Sequence, residues 1–178
     1  MKPIFTIHEG EFLVGEHINR DKHLAKRFNV WVPTKDSGVD LLVTRKKRDG
    51  RPVGLQVKFS RSYWFIKELA GKVQATSWFR LDPAKIRNST ADLWVFVIIT
   101  LKHKQHFVVI PTRELAKRIP KKCGKRWDLY LWVYPGKKCY NMRDVCNEDR
   151  VAALDCGVKD RARDFTRWLE NWDLLQRP

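Results

Sequence analysis

Two strand-like segments joined by a basic turn constrain this chain more than any other feature. Residues 38–43 read Gly-Val-Asp-Leu-Leu-Val, and residues 53–60 read Val-Gly-Leu-Gln-Val-Lys-Phe-Ser. Between them Lys46, Lys47, Arg48, Asp49, Gly50, Arg51 and Pro52 carry an Asp-Gly pair, the composition of a hairpin turn. In the second segment Leu55, Val57 and Phe59 alternate with Gln56, Lys58 and Ser60. A period of two sends these sets to opposite faces of one strand. The first set belongs in a core, while the second puts polar groups on the other face. Fifteen residues separate Asp40 from Gln56, and a hairpin brings Asp40 within reach of the same spot.

The remaining pattern predicts a mixed fold. Residues 9–27 read as a helix, with Leu13, Val14, Ile18, Leu24, Ala25 and Phe28 on one arc. Residues 29–33 form a short strand ended by proline. Residues 63–81 are expected to contain helix, and Asp82-Pro83 opens a short turn or helix through Ile86. The unbroken apolar stretch in 92–101 predicts a strand buried on both faces, with 105–110 as its partner. Thr112 is read as the cap of a helix running to about Ile119, and residues 127–134 as a further strand. Residues 137–155 show no regular pattern. Residues 160–175 predict an amphipathic helix with Phe165, Trp168, Leu169, Trp172 and Leu175 on one stripe. The expected class is α/β, a central mixed sheet flanked by helices on both sides. Residues 1–178 are read as one domain, with its core motif in 9–110 and a C-terminal extension over 111–178.

Charge narrows the partners. Thirty-six Lys and Arg against twenty Asp and Glu give a net charge of +16, which points to a polyanion. The longest apolar run has seven residues, and residues 1–10 have no apolar centre. No membrane partner is expected, and the chain reads as intracellular, cytoplasmic and nucleoid-associated. Cys123, Cys139, Cys146 and Cys156 form no CxxC pair. Reduced thiols are the expected state rather than a zinc site, with His103 and His106 in a separate strand-like region.

The polar face has a definite chemistry. One carboxylate, one amide oxygen and one ammonium are the parts needed to hold a hard divalent cation against a phosphodiester and to manage an attacking water. With Gly38-Val39-Asp40-Leu41 followed by Gln56-Val57-Lys58, the chain resembles the PD-(D/E)xK nuclease superfamily, the fold of many restriction enzymes and Holliday-junction resolvases. The resemblance covers about residues 9–110. It implies a restriction-endonuclease-like fold and a magnesium-dependent DNA endonuclease, with manganese able to substitute. It implies metal ligation by Asp40, Gln56, Glu16 and the Val57 backbone carbonyl, and catalysis by Glu16, Asp40, Gln56 and Lys58. Glu16 is carried over because it lies twenty-four residues before Asp40, a separation like that in archaeal resolvases. Glu11 is the rival helix carboxylate, since both flank the apolar arc. Two positions depart from the pattern: Val39 stands where proline is usual, and Gln56 stands where Asp or Glu is usual, which removes one negative charge from the site.

Nucleic-acid contacts are expected from Arg45, Lys46, Lys47, Arg48 and Arg51 at the hairpin tip, beside the site, and from Ser60, Arg61 and Ser62. Further basic clusters are Lys117-Arg118, Lys121-Lys122, Lys125-Arg126 and Lys137-Lys138. Tyr63, Trp64 and Phe65 interleave aromatic groups with this basic stretch, as in surfaces that stack on bases. Double-stranded DNA is the expected partner, and a homodimer is expected for cleavage of both strands. Two other readings stay open: a binding protein of the same fold without catalysis, and a basic RNA-binding domain.

Overall fold

The computed structural model describes residues 8–34, 38–47, 50–61, 73–100, 104–145, 147–153 and 157–176. Arg48, Ser62, residues 63–65, His103, Cys146 and Cys156 therefore lie outside the described residues. In chain order the elements are α1 (Glu9–Arg20), β1 (Phe28–Trp31), β2 (Leu41–Arg45), β3 (Val53–Arg61), β4 (Ala75–Leu81), α2 (Pro83–Arg87), β5 (Leu93–Ile99), β6 (Gln105–Pro111), α3 (Thr112–Ala116), β7 (Trp127–Tyr134), β8 (Lys138–Asn141) and α4 (Asn147–Ala152). Two 3-10 turns follow, Thr166–Trp168 and Trp172–Gln176.

A five-stranded sheet runs β1-β2-β3-β5-β6, and a three-stranded sheet runs β4-β7-β8. The large sheet is mixed. β1, β2 and β3 form an antiparallel meander, β5 lies parallel to β3, and β6 returns antiparallel to β5. The central position belongs to β3. On one of its faces Val57 and Phe59 meet α1, whose Gly10 sits directly over them. On the other, Phe96 of β5 makes an edge-to-face contact with Phe79 of β4 at 4.9 Å. The layer opposite α1 is thus mainly the small sheet, with the short helix α2 beside it, where a layer of helices alone was expected. The reason is β4. Residues 75–81 alternate, with Phe79 and Leu81 buried and Trp78 and Arg80 exposed. That is the period of a strand, and it overrides the helix expected there.

Residues after 111 are not an appendage. β7 pairs with β4 through seven residue pairs, and Trp127, Leu129, Leu131, Phe165, Trp168 and Leu175 join the same core as Leu55 and Val95. The 160–175 segment buries the expected apolar residues but is not one helix: it breaks at Glu170, which takes a positive φ of 55°. Glu170 there accepts the Phe107 N–H through its side chain at 3.1 Å and donates its own N–H to the Phe107 carbonyl at 2.7 Å. The segment so covers the open edge of β6, where unpaired backbone would otherwise meet solvent. Its tryptophans, Trp168 and Trp172, are buried in the core of their own chain.

Smaller differences have local causes. α1 stops at Arg20 because the Asp21 side chain accepts the His23 and Leu24 N–H groups, each at 2.9 Å, and starts a turn. Pro111, not Thr112, caps α3, and the Thr112 hydroxyl donates to the Ala91 carbonyl. β8 and α4 fill the stretch without pattern.

One packing contact predicts a pH response. His17 of α1 lies between Phe107 at 4.6 Å and Trp172 at 4.9 Å, the rings of the edge strand and the C-terminal turn. Burial holds its pKa below the ordinary histidine value, against the opposite pull of Glu170 and Asp21. The unfolded chain therefore takes the proton more readily. The stability contributed by neutral His17 is complete above the unfolded pKa, about 6.5, and is lost as pH falls through the lower folded value. In urea titrations from pH 7.5 to 5, His17→Phe should keep the ring contacts and flatten that decline. Equal slopes for the two proteins would show that His17 is not its source.

Candidate active site

The polar face of β3 opens into a cleft of about 950 Å³. Gln56 and Lys58 lie along its floor with Asp40 beside them. His8 and Glu11 of the α1 start form one wall, and Arg80, Leu81, Asp82 and Lys85 of β4 and α2 form the other. Ser89, Thr90 and Trp94 close the back.

Local backbone explains the convergence. Gly38 adopts φ of +79°, a conformation available to glycine, and turns the chain so that Asp40 enters β2. The Asp40 N–H donates to the Leu55 carbonyl at 2.8 Å. β2 begins at Leu41, so β3 runs past it. The Asp40 carboxylate then continues the ladder: Oδ2 accepts the Val57 N–H at 2.6 Å and the Gln56 side-chain amide. The Val57 carbonyl leaves the strand on the same flank as its N–H. Lys58 is held from the next strand. Its ammonium lies 5.7 Å from the ring centre of Trp94, which pairs in register with Gln56.

The structure brings Asp40, Gln56, Val57 and Lys58 together and separates Glu16 from them. Glu16 forms an ion pair with Arg20 at 3.1 Å and lines another groove, with Phe12, Val30 and Val32. Glu11 lines the cleft. Glu11 borders the Glu16 groove as well, but five helical residues turn the direction by about 500°, or 140° net, which takes Glu16 away from the cleft. Spacing from Asp40 carried no information about that rotation. Glu11 also serves the helix start, accepting the His8 N–H at 3.1 Å.

The basic hairpin tip does not border the site. Asp40 and Gln56 sit at the open end of the β2–β3 pair, and Arg45 is five residues further on, about 16 Å along a strand at about 3.3 Å per residue. Arg45 donates to the Gln176 carbonyl, and Arg51 is paired with Asp92. Arg61 makes a two-pronged contact with Glu9, 3.0 Å to each oxygen. Lys46 and Lys47 are exposed at the far end. Among the described residues the cations that line the cleft are Lys58, Lys85 and Arg80, the last also paired with Asp128 at 3.3 Å. Arg80 escaped the sequence reading because residues 63–81 were expected to contain helix, and Lys85 because no local pattern placed the 82–86 turn or helix beside β3. The alternation around Phe79 and Leu81 was the available signal. Asp82 was legible as a helix start: its side chain accepts the Ala84 and Lys85 N–H groups at 2.8 and 3.3 Å.

The donor set can be tested against a cation. Oδ2 of Asp40 is occupied by two N–H donors, which leaves Oδ1, the Gln56 amide oxygen and the Val57 carbonyl. Among the described residues no group of three His, Cys, Asp or Glu side chains could hold a metal ion. Asp40 Oδ1, the Gln56 amide oxygen and the Val57 carbonyl are hard oxygen donors, the kind magnesium takes beside water and substrate phosphate. Cys123 and Cys139 are free thiols, and burial pushes the Cys139 thiol pKa far up. No protein-family model, no curated protein and no solved structure matches the chain.

The approach of α1 to β3 depends on a missing side chain. A β-carbon on Gly10 would lie 2.8 Å from the Phe59 Cβ and 3.3 Å from a Val57 methyl. Alanine is ordinarily the better helix former by about 1 kcal/mol. Gly10→Ala should nevertheless destabilise the protein by about 1–3 kcal/mol, the usual range for overpacking, in a urea titration. A more stable variant would mean that α1 does not rest on β3 in this way.

Proposed function

We propose that this protein is a magnesium-dependent endodeoxyribonuclease of the PD-(D/E)xK type. The observation that carries the reading is the contact set on the central strand: the Asp40 carboxylate against Gln56 and the Val57 N–H, with Lys58 in the same cleft. The mixed sheet, with its β1-β2-β3 meander and parallel β5, supports it.

Asp40 Oδ1, the Gln56 amide oxygen and the Val57 carbonyl would hold magnesium, or manganese in its place, and Glu11 is the second carboxylate on hand. When bound, such a cation supplies positive charge at the phosphate and lowers the pKa of a water. The protein's own part is positional. The Gln56 and Val57 donors fix the Asp40 carboxylate in one orientation. The Lys58 ammonium, braced by Trp94, stabilises charge as it develops on the phosphorus oxygens when water attacks in line. Arg80 and Lys85 on the facing wall attract the strand's phosphates without regard to sequence. Cutting both strands calls for two sites, and a second copy of the chain would supply the other.

One observation favours a second reading, a binder of the same fold that does not cut. The Gln56 amide donates to Asp40, so the one carboxylate at the centre is already partnered within the protein. A nicking assay on supercoiled plasmid decides between them. Asp40→Asn is the better probe than Asp40→Ala, because an amide oxygen can still accept the Val57 N–H. We expect magnesium-dependent nicking that Asp40→Asn and Lys58→Ala each reduce by about 10²-fold or more, with duplex affinity changed only a few-fold. Nicking that survives Asp40→Asn would remove the site. Absence of nicking with either metal, together with tight duplex binding, would favour the binder. Preference for RNA with no metal-dependent cutting would favour the third reading.

A further inference from the structure

The outer face of β4 leaves one large aromatic side chain in solvent next to the cleft. Trp78 is 39% exposed, although Phe79 and Leu81 on the other side of the strand are almost wholly buried. Its indole is held in place. Nε1 donates to Asp128 Oδ1 at 3.1 Å, and the same oxygen accepts Arg80 Nε at 3.3 Å. The Arg80 guanidinium carbon lies 4.9 Å from the Trp78 ring centre. The Tyr130 ring, directly across the β4–β7 pair, is within 16° of parallel at 6.3 Å. These contacts assemble two near-parallel rings and a guanidinium, ordered before any ligand arrives, which reduces the entropy lost on binding.

This platform is continuous with the cleft. Arg80 contributes to both. The Trp78 N–H donates at 3.3 Å to the hydroxyl of Ser60, which lies two residues beyond Lys58 on the same face of β3. Two residues of strand span about 6.6 Å. This step leads from Lys58 to the β4 main chain at Trp78, and a nucleic-acid strand with a phosphate at Lys58 that continues over the β4 rim would carry a neighbouring base toward the indole. In an intact duplex that base is stacked and paired, and its flat face is not accessible. In a single strand it is.

We propose that Trp78, flanked by Arg80 and Tyr130, is a stacking site for an unpaired nucleobase, so that the cleft takes single-stranded DNA, or the unpaired portion of a branched one, in preference to continuous duplex. Net charge complements such a ligand, since +16 on the chain attracts the backbone. The proposal rests on the nucleic-acid reading of the cleft but not on cleavage, and its test is arranged accordingly.

Binding is measured by fluorescence anisotropy in EDTA, where no cutting occurs, using a labelled oligothymidylate, the same length carrying abasic positions, and a blunt duplex. The full chain should bind the oligothymidylate more tightly than the abasic strand by about 5- to 150-fold, the range for one base on an aromatic ring. Trp78→Leu, which keeps apolar bulk without a ring, should lose a similar factor on oligothymidylate and nothing on duplex. Trp78→Phe should retain most of the affinity. Equal affinity for thymidylate and abasic strands overturns the proposal, and needs no variant that might misfold. So does a Trp78→Leu protein of unchanged affinity, or one that loses both ligands equally. Loss of nicking in the preceding section with these binding results intact would remove catalysis and leave the base site standing.

Discussion

β3 pairs with β2 on one side and β5 on the other, and its two faces meet different layers. Leu55, Val57 and Phe59 carry α1, while Gln56, Lys58 and Ser60 look into the cleft and toward β4. Because side chains alternate strictly along a strand, a one-residue slip would exchange the faces, burying Lys58 under α1 and exposing Val57. The bonds that prevent the slip run on both flanks: seven parallel pairs to β5 and the Asp40 main chain and carboxylate toward β2. Asp40 is thus a structural terminus of the ladder as well as the centre of the cleft. A substitution there affects strand pairing and chemistry together, unless the replacement can still accept a hydrogen bond.

The same strand explains the composition of the cleft walls. α1 reaches β3 through Gly10, which brings Glu11 and His8 over the floor from one side. The small sheet packs Phe79 on Phe96 from the other, which aligns β4 and the start of α2 along the opposite rim. Glu11 and Asp40 accordingly lie on the α1 and β2 side, and Arg80, Asp82 and Lys85 on the β4 and α2 side.

Burial in the large sheet also accounts for the conduct of the C-terminal segment. Both faces of β5 are covered, and β6 would be an open edge without Glu170 and its neighbours. Trp168 and Trp172 are consumed in closing that edge and the α1 face. They form part of the fold's own interior, whereas the Trp78 indole on the outer face of β4 is 39% exposed.

What the amino-acid order determined unaided was everything governed by near neighbours. The alternation of β3, the unbroken apolar run of β5, the Asp82-Pro83 helix start and the bounds of β7 all follow from local periodicity and capping. The association of Asp40 with Gln56 follows from a short hairpin. Only the tertiary structure decided the features that rest on rotation and layer order. Whether Glu11 or Glu16 faces the cleft depends on how α1 is rolled on β3, and Gly10 settles that by permitting contact at one point of the helix. The alternation in 75–81 is that of a strand, but which partner it takes depends on β7, fifty residues later, offering its backbone. Contacts distant in sequence carry these choices, and no local pattern encodes them.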